Sequence, residues 1–530
     1  MFWFILAVMT DQEKLFDLPV EVVVAVIVES QALDPKLKAI DRNQFRMLSL
    51  DVDTLVSADH KARAIWELTG SLDLSKFLVG IRSQVGRAGR EHTNPRLLVA
   101  VWLYAYSESI SSAREVSRQM EHEPGFRWLT SLEIINHTTL SDFRKAHKEA
   151  LDDLFTELLA VLEAAGHVDL EQVMHDGTKI QAQASPGSFR REKTVREAME
   201  KARRLVEELS DPDDEQKQSQ REVARRRAAQ QKAAVLGQAL AELDEIRKSK
   251  RTEEEKAKAR VSVTEPEARF MKHGNDGGIA PSYNVQVTTD AKAKVIVGFD
   301  VIQCSSDASV SLLDVVNQVE AKLDGKPVQL VVDGAYTGHD NIVELAQAGV
   351  DLIGPLPDSE ERQAAARKAS GIAEEFAGDR FAKTPDGQGL ICPQGQRLDL
   401  VRINGKRGNR YEVYQAQGSI CSQCHLHPQC CPKGFEKGRS VSILVEEAEE
   451  VARFRTKMAT ESAKQSYKKR SGVAETPNAW IKEKLGIRKF RLRGLEKAGI
   501  ETLWACLTYN VMQWIRLVWR KRNEEALQAA

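Results

Sequence analysis

The chain has 530 residues, 42% of them hydrophobic and 29% charged, with 76 Lys and Arg against 77 Asp and Glu and a formal net charge of -1. At ~150 residues per domain that length implies several structural units, and the composition excludes a globally disordered or fibrous chain. With no overall positive field, any surface for a polyanion has to come from local segregation of charge.

The opening MFWFILAVMT is apolar, but no basic residue precedes it and it has about half of the ~20 residues a membrane span needs. Residues 1–50 are therefore read as an N-terminal extension, a docked or frayed terminus followed by the apolar stretch DLPVEVVVAVIVES, and no membrane or export signal is expected. Residues 51–166 read as a run of helices. In NPRLLVAVWLYAYSES, Asn94 is placed as an N-cap and Pro95 as the first helical residue. HTTLSDFRKAH sets Arg144, Lys145 and Lys148 on a helix after a short polar turn, as a helix-turn-helix exposes its reading helix. A bundle with a solvated basic face has the same pattern.

The character changes at Val168. HVDLEQVMHDGTKIQAQA, SYNVQVTTD and KVIVGFDVIQ read as strands, SDASVSLLDVVNQVEAKL as a helix, PVQLVVDGAY as a buried strand, NIVELAQAG as a helix and VDLIGPLP as a fifth strand. The alternating second half implies parallel strands with crossover helices. This α/β core occupies residues 167–186 and 263–356. Residues 187–262 interrupt it with a charged helical hairpin, broken near SDPDDE. Residues 357–450 hold five of the seven cysteines and read as a small, loop-rich module without a core of its own. Residues 451–530 are helical and basic and complete the core.

Asp176 ends the first strand and Asp333 the fourth, each before a glycine. Alone, Asp-Gly is a turn signal. With the first strand central and the fourth beside it, both carboxylates meet at one sheet edge, where they repel unless a cation lies between them. Mg²⁺ suits such a pair, taking a few carboxylate oxygens and leaving room for phosphate and water. A third acid is expected from the C-terminal helix, where Glu475 precedes Lys482 by two turns and Tyr467 and Arg470 lie upstream. In isolation Glu475 is a favourable charge at a helix start. Cys392, Cys421, Cys424 and Cys430 or Cys431 supply enough thiolates for a closed tetrahedral Zn²⁺ site. The fourth ligand is open, since His425 and His427 could also serve, and reduced, unligated thiols are the alternative. Cysteines clustered in a chain without a signal peptide point to the cytoplasm.

Asp176, Asp333 and Glu475 in this order, with DGTKIQAQAS, PEARFMKHGNDGGIAPSYNVQ, VVDGAYTG and SGVAETPNAWIKEKLGIRKFRLRGLEK, resemble bacterial insertion-sequence DDE transposases over roughly residues 50 to 520. Tyr467, Arg470, Glu475 and Lys482 resemble the family's Tyr-Arg-Glu-Lys signature, with four residues between Arg470 and Glu475 where the common pattern has three. The resemblance implies an α/β, ribonuclease H-like mixed sheet core with an all-α N-terminal DNA-binding domain, a helical-hairpin insertion and a small zinc-ribbon-like insertion. It implies that Asp176, Asp333 and Glu475 are catalytic and hold two Mg²⁺ or Mn²⁺ ions roughly 3.5–4 Å apart. Tyr467, Arg470, Lys482, Lys489, Arg491 and Arg493 would contact DNA, a solvated basic helix being the plainer account of the last three.

The function so implied is a transposase that binds the terminal inverted repeats of its element as double-stranded DNA, cuts there and transfers the strand to target DNA. It would act as at least a homodimer, in the cytoplasm at the nucleoid. A stand-alone metal-dependent nuclease and a catalytically idle DNA-binding regulator are the competing readings; three retained acids weigh against the regulator.

Overall fold

A computed structural model describes residues 47, 49–81, 83, 86, 91–209, 220–250, 252–274, 278–356, 365, 367–406, 409–433 and 435–529. The chain divides into Met1–Asp51 and Val52–Ala530. The apolar stretches MFWFILAVMT and DLPVEVVVAVIVES of the first unit lie outside the described residues, as does the break near SDPDDE.

The helices of the second unit begin with α1 (Lys61–Ser71), α2 (Pro95–Ser107), α3 (Ala113–Gln119), α4 (Pro124–Leu129), α5 (His137–Ala146) and α6 (Lys148–Ala164). Asn94 caps α2 as expected, its Oδ1 accepting the Arg96 N–H at 2.9 Å, with Pro95 in the first turn. A helix apolar on every side belongs in a core, and α2 is buried at every residue from Leu98 to Tyr106. The later helices include α7 (Glu192–Glu208), α8 (Gln220–Lys248), α9 (Leu312–Leu323), α10 (His339–Gln347), α11 (Glu449–Met458), α12 (Glu461–Lys468), α13 (Arg470–Glu483) and α14 (Leu495–Trp514). Among the described residues no helix is long and apolar enough to cross a membrane.

The first eight strands are β1 (Gln172–Gln181), β2 (Phe189–Arg190), β3 (Val261–Ser262), β4 (Arg269–Lys272), β5 (Ile279–Asp290), β6 (Ile296–Ile302), β7 (Gln329–Val331) and β8 (Asp351–Ile353). Six of them form a mixed sheet in which β1 is central. On one side β5 runs antiparallel to β1 and pairs in turn with β4 and β6; on the other, β7 and β8 follow in parallel. The five expected strands are all here, with α9 and α10 making the crossovers, and β4 is added at one edge. Asp176 does not end the first strand as expected: β1 passes through Asp176 and Gly177 and continues to Gln181.

The helices of residues 51–166, expected to form a helical DNA-binding domain, share one hydrophobic core with the sheet and with α14. α14 looks basic only in its flanks; its centre is buried, with Trp504 against Trp102 and Tyr106. Its Asn510 amide accepts from the Ile296 N–H at 3.0 Å and donates to the Ile296 carbonyl at 2.8 Å, satisfying β6 where its register with β5 shifts.

Arg144 accordingly faces inward. It is 4% exposed, lies 4.7 Å over the Trp102 ring and donates to the Ser111 carbonyl at 2.5 Å. Its expected place on DNA is thus corrected: the basic side chain at that helix position is held in the core by an aromatic ring and a backbone oxygen. Lys145 is half-buried and pairs with Asp142 at 3.0 Å, while Lys148 is exposed at the start of α6.

The two insertions differ in how well their pattern foretold them. α7 and α8 pack as an antiparallel hairpin around Val195, Ala202, Leu236, Ala239 and Leu243, with Arg247 near the end of α8 bonded to Glu192 at the start of α7. The cysteine-bearing insertion is not loop-rich. It is a five-stranded antiparallel sheet of β9 (Ala382–Lys383), β10 (Gly389–Ile391), β11 (Arg397–Lys406), β12 (Asn409–Gln415) and β13 (Ser440–Glu446), and it has its own apolar cluster of Phe381, Leu390, Leu398, Tyr414, Ala416 and Val441.

Candidate active site

Parallel pairing sets Met174 of β1 beside Val331 of β7, two residues before Asp176 and Asp333 respectively. That register is what brings together two acids far apart in the chain. Their settings differ. Asp333 lies past the end of β7 in a turn, its Oδ1 accepting from the Ala335 N–H at 2.7 Å, so the second Asp-Gly pair is the turn its composition suggests. Asp176 is within the strand, opposite Val287 of β5. Gly177 serves close approach there: a Cβ would stand 2.6 Å from both Asp307 Oδ1 and Gln286 Nε2.

α13 crosses this edge and supplies the counter-charge. Arg470 Nη2 donates to Asp176 Oδ1 at 2.8 Å and lies 3.9 Å from Asp333 Oδ2; Asn478, on the same helix face, donates to Asp176 Oδ2 at 3.3 Å. Burial still wins at Asp176, pushing its carboxyl up to about 6; Arg470 opposes the rise, while Asp333 and Asp307 add to it. Arg470 Nε and Asn478 Oδ1 are buried without hydrogen-bond partners.

Behind the acids lies a buried polar network. Gln286 Oε1 accepts from the Tyr336 hydroxyl at 2.6 Å and meets His175 Nε2 at 3.0 Å, while His175 Nδ1 meets Thr288 Oγ1 at 2.9 Å. Because Gln286 Oε1 can only accept, the network assigns the proton to Nε2 and leaves Nδ1 to accept from Thr288. Burial holds the imidazole down to about 4, so it is neutral. Gln286 Nε2 and Asn284 Nδ2 donate to Asp307 Oδ1 at 2.9 and 2.7 Å, fixing a third carboxylate near Asp176.

Glu475 does not join the two aspartates. It is exposed on α13, and at ~100° per residue it falls about 100° round the helix from the face that Arg470 and Asn478 turn to Asp176. Tyr467 is half-buried against the apolar cluster of Met174, Val331 and Ile353 under the acids. Lys482 lies at a groove with Gly177 and Asp307. Lys489, Arg491 and Arg493 are exposed beyond α13, where the backbone runs beside the end of β1, the Gln181 N–H donating to the Arg488 carbonyl at 3.1 Å.

Cys392, Cys421, Cys424, Cys430, Cys431 and His427 line one cavity of about 40 Å³ in the insertion, while His425 is exposed. Burial raises the Cys430 and Cys431 thiols, that of Cys431 to about 12, and the neighbouring sulfurs add to the rise. The Gln396 and Arg439 N–H groups donate to Cys392 Sγ at 3.4 Å and Cys421 Sγ at 3.3 Å. Among the described residues no group of three or more His, Cys, Asp or Glu is arranged to hold a metal ion.

Two hard carboxylates and an unpartnered amide oxygen at Asn478 nevertheless form a donor set whose chemistry fits a divalent cation. Asn478 was detectable in principle, eight residues after Arg470 and so on its face. Nothing in the sequence marks Gln286 or Asp307.

Two family models match the chain. One, described as Transposase DDE domain, spans residues 391–515 and so contains Tyr467, Arg470, Glu475 and Lys482; the other, Transposase domain (DUF772), spans 50–146. The chain resembles DDE transposases. Asp176 and Asp333 fall between the two matched stretches. No curated protein matches the chain. A solved structure of piggyBac transposase, in a synaptic complex with hairpin DNA, aligns over 89% of this chain and 81% of that chain with a TM-score of 0.24 and 10% identity.

The acid of β1 carries a testable cost. Its folded pKa, about 6, is above its ordinary 3.8, so its contribution to stability is fully present below 3.8 and is lost as pH rises through about 6. Asp176→Asn, which mimics the protonated form, should raise the unfolding free energy of the metal-free protein by about 2–3 kcal/mol near pH 8, with the gain vanishing toward pH 4. Urea titrations at the two pH values measure it. A loss of stability near pH 8 would show that the Arg470 pair outweighs burial.

Proposed function

We propose that the chain is a DDE-type DNA transposase with a ribonuclease H-like core, acting on double-stranded DNA at the terminal inverted repeats of an insertion sequence. The carrying observation is the pair Asp176–Asp333, brought to one sheet edge by the parallel pairing of β1 and β7 just before them and answered by Arg470. The strand order around β1 and the two transposase matches support the same reading.

In this reading Asp176, Asp333 and Glu475 would hold two Mg²⁺ ions, or Mn²⁺ in their place, and the ions would supply Lewis-acid stabilisation of charge on the scissile phosphate and the leaving oxygen. Glu475 is the third acid of this reading, although α13 turns it away from the pair in the ligand-free chain. Arg470, once a cation takes its place at Asp176, would be free to pair with a DNA phosphate. Lys482 offsets phosphate charge beside the cut, and Tyr467, Lys489, Arg491 and Arg493, with Lys145 and Lys148, position the duplex. Hydrolysis at the element's end, with water attacking phosphorus, breaks the P–O3′ bond and frees a 3′-hydroxyl; its attack on a target phosphodiester forms a new P–O bond, breaks the target's P–O3′ bond and releases a target 3′-hydroxyl. Pairing two ends requires at least a homodimer, and the substrate places the protein at the nucleoid.

The cysteine cluster is read as a structural Zn²⁺ site: five thiols and His427 line one cavity, two of the sulfurs already accepting N–H bonds. Metal analysis of the reduced protein should give about one zinc per chain, and a zinc-free preparation with an unchanged melting profile removes the assignment.

Asp333→Asn should abolish nicking of a DNA end while leaving its gel-shift affinity within about threefold, because affinity rests on basic groups elsewhere. Nicking at the wild-type rate would end the catalytic reading. Loss of binding together with cutting would instead make the carboxylates part of the DNA surface.

A further inference from the structure

Five basic side chains from separate segments converge on one groove next to Asp176. They are Lys179 of β1, Lys272 of β4, His273 just after it, Lys482 of α13 and Arg488 beyond it, around a cavity of about 530 Å³. β1 runs from Asp176 straight into the floor of this groove. Among the described residues one carboxylate lines it, Asp307, and both the Asn284 and the Gln286 amide already donate to that group.

The cations are not neutralised from within. Arg488 pairs with Glu483, but Lys179, Lys272 and Lys482 have no ion pair among the described residues. Elsewhere basic side chains pair along their own helix, as Arg196 does with Glu192 and Lys256 with Glu253. Burial first, and Arg488 next, hold the Lys482 ammonium below its ordinary value; burial, Lys482 and Lys179 do the same to His273. Such a cluster opposes its own fold and is relieved by an anion. Its place next to the acids, and its extent over three elements, suit a chain of phosphates better than a single one.

We propose that this groove seats the phosphodiester backbone of the DNA strand that leads away from the Asp176–Asp333 pair, with Lys179 and Lys272 joining Lys482 as phosphate contacts. The assignment rests on the reading of that pair as the cutting site. Lys179 comes from the central strand β1 and Lys272 from the edge strand β4 of the same sheet, so the sheet backbone sets both relative to Asp176, unlike the cations in the irregular stretch after α13.

The test uses the full chain carrying Asp333→Asn, so that bound DNA stays uncut, with oligodeoxythymidine and a duplex of arbitrary sequence as probes. Affinity is measured at several salt concentrations with and without Lys179→Ala/Lys272→Ala. Losing two phosphate contacts should lower the slope of log K on log salt by about 1.4–1.8. Lys179→Arg/Lys272→Arg should restore the slope, and Lys256→Ala/Lys258→Ala, on the short helix Glu253–Lys258 where the two lysines pair with Glu253 and Glu254, should leave it unchanged. An unaltered slope in the alanine variant overturns the groove and leaves the cutting site standing. Failure of the arginine variant to restore it, with the fold intact by circular dichroism, also overturns the groove. If the parent chain binds neither probe, the transposase reading itself fails.

Discussion

Two carboxylates, one inside β1 and one just past the end of the parallel strand β7, repel each other, and in this fold a single guanidinium answers both. At an effective dielectric of ~20, unit charges about 4 Å apart interact by about 4 kcal/mol, so the position of Arg470 matters more to this edge than any one apolar contact. That position is set at a distance. α13 is held to the sheet by Val473 and Ala474 against Met174, Val331 and Ile353, and the first two of these strand residues lie two positions before the acids. The same packing that seats α13 therefore fixes the polar face above Asp176. A residual conflict remains, since burial keeps Asp176 above its ordinary pKa despite the pair. A fold that carries such a conflict at a cleft, with unpartnered polar atoms beside it, is poised for a charged ligand.

Rigidity around the site comes from its neighbours. The His175–Gln286–Tyr336 network and the amides on Asp307 leave no space for a side chain at position 177, so β1 keeps a glycine inside a strand where one ordinarily weakens pairing. Behind it, the shared core of the N-terminal helices, the sheet and α14 binds the Asp176–Asp333 edge to the rest of the unit. Sites on such elements hold their geometry better than sites on loops.

The strand series and the meeting of Asp176 with Asp333 were legible because a buried parallel strand is a short apolar run and crossover helices interrupt it at regular spacing. Other features were not. A helix period says which residues share a face but not which face meets the sheet, so Glu475 and Arg470 could not be ranked by spacing alone. Arg144 has the sequence appearance of a solvated cation; only Trp102 and the Ser111 carbonyl, distant in the chain, reveal it as a core residue. The sheet of the cysteine insertion was hidden because β11 and β12 carry Arg, Asp, Asn and Glu between their apolar residues, which dilutes the alternation that marks a strand.

On this reading Asp176 and Asp333 form the cation site that Arg470 covers in the ligand-free chain. A crystal structure with Mn²⁺ and a DNA end, using the anomalous signal of manganese, tests that claim most directly. The expected result is manganese on the Asp176 and Asp333 carboxylates, Glu475 turned into the same site, and Arg470 moved from Asp176 to phosphate. Manganese on other residues, with Arg470 still bonded to Asp176, would contradict it.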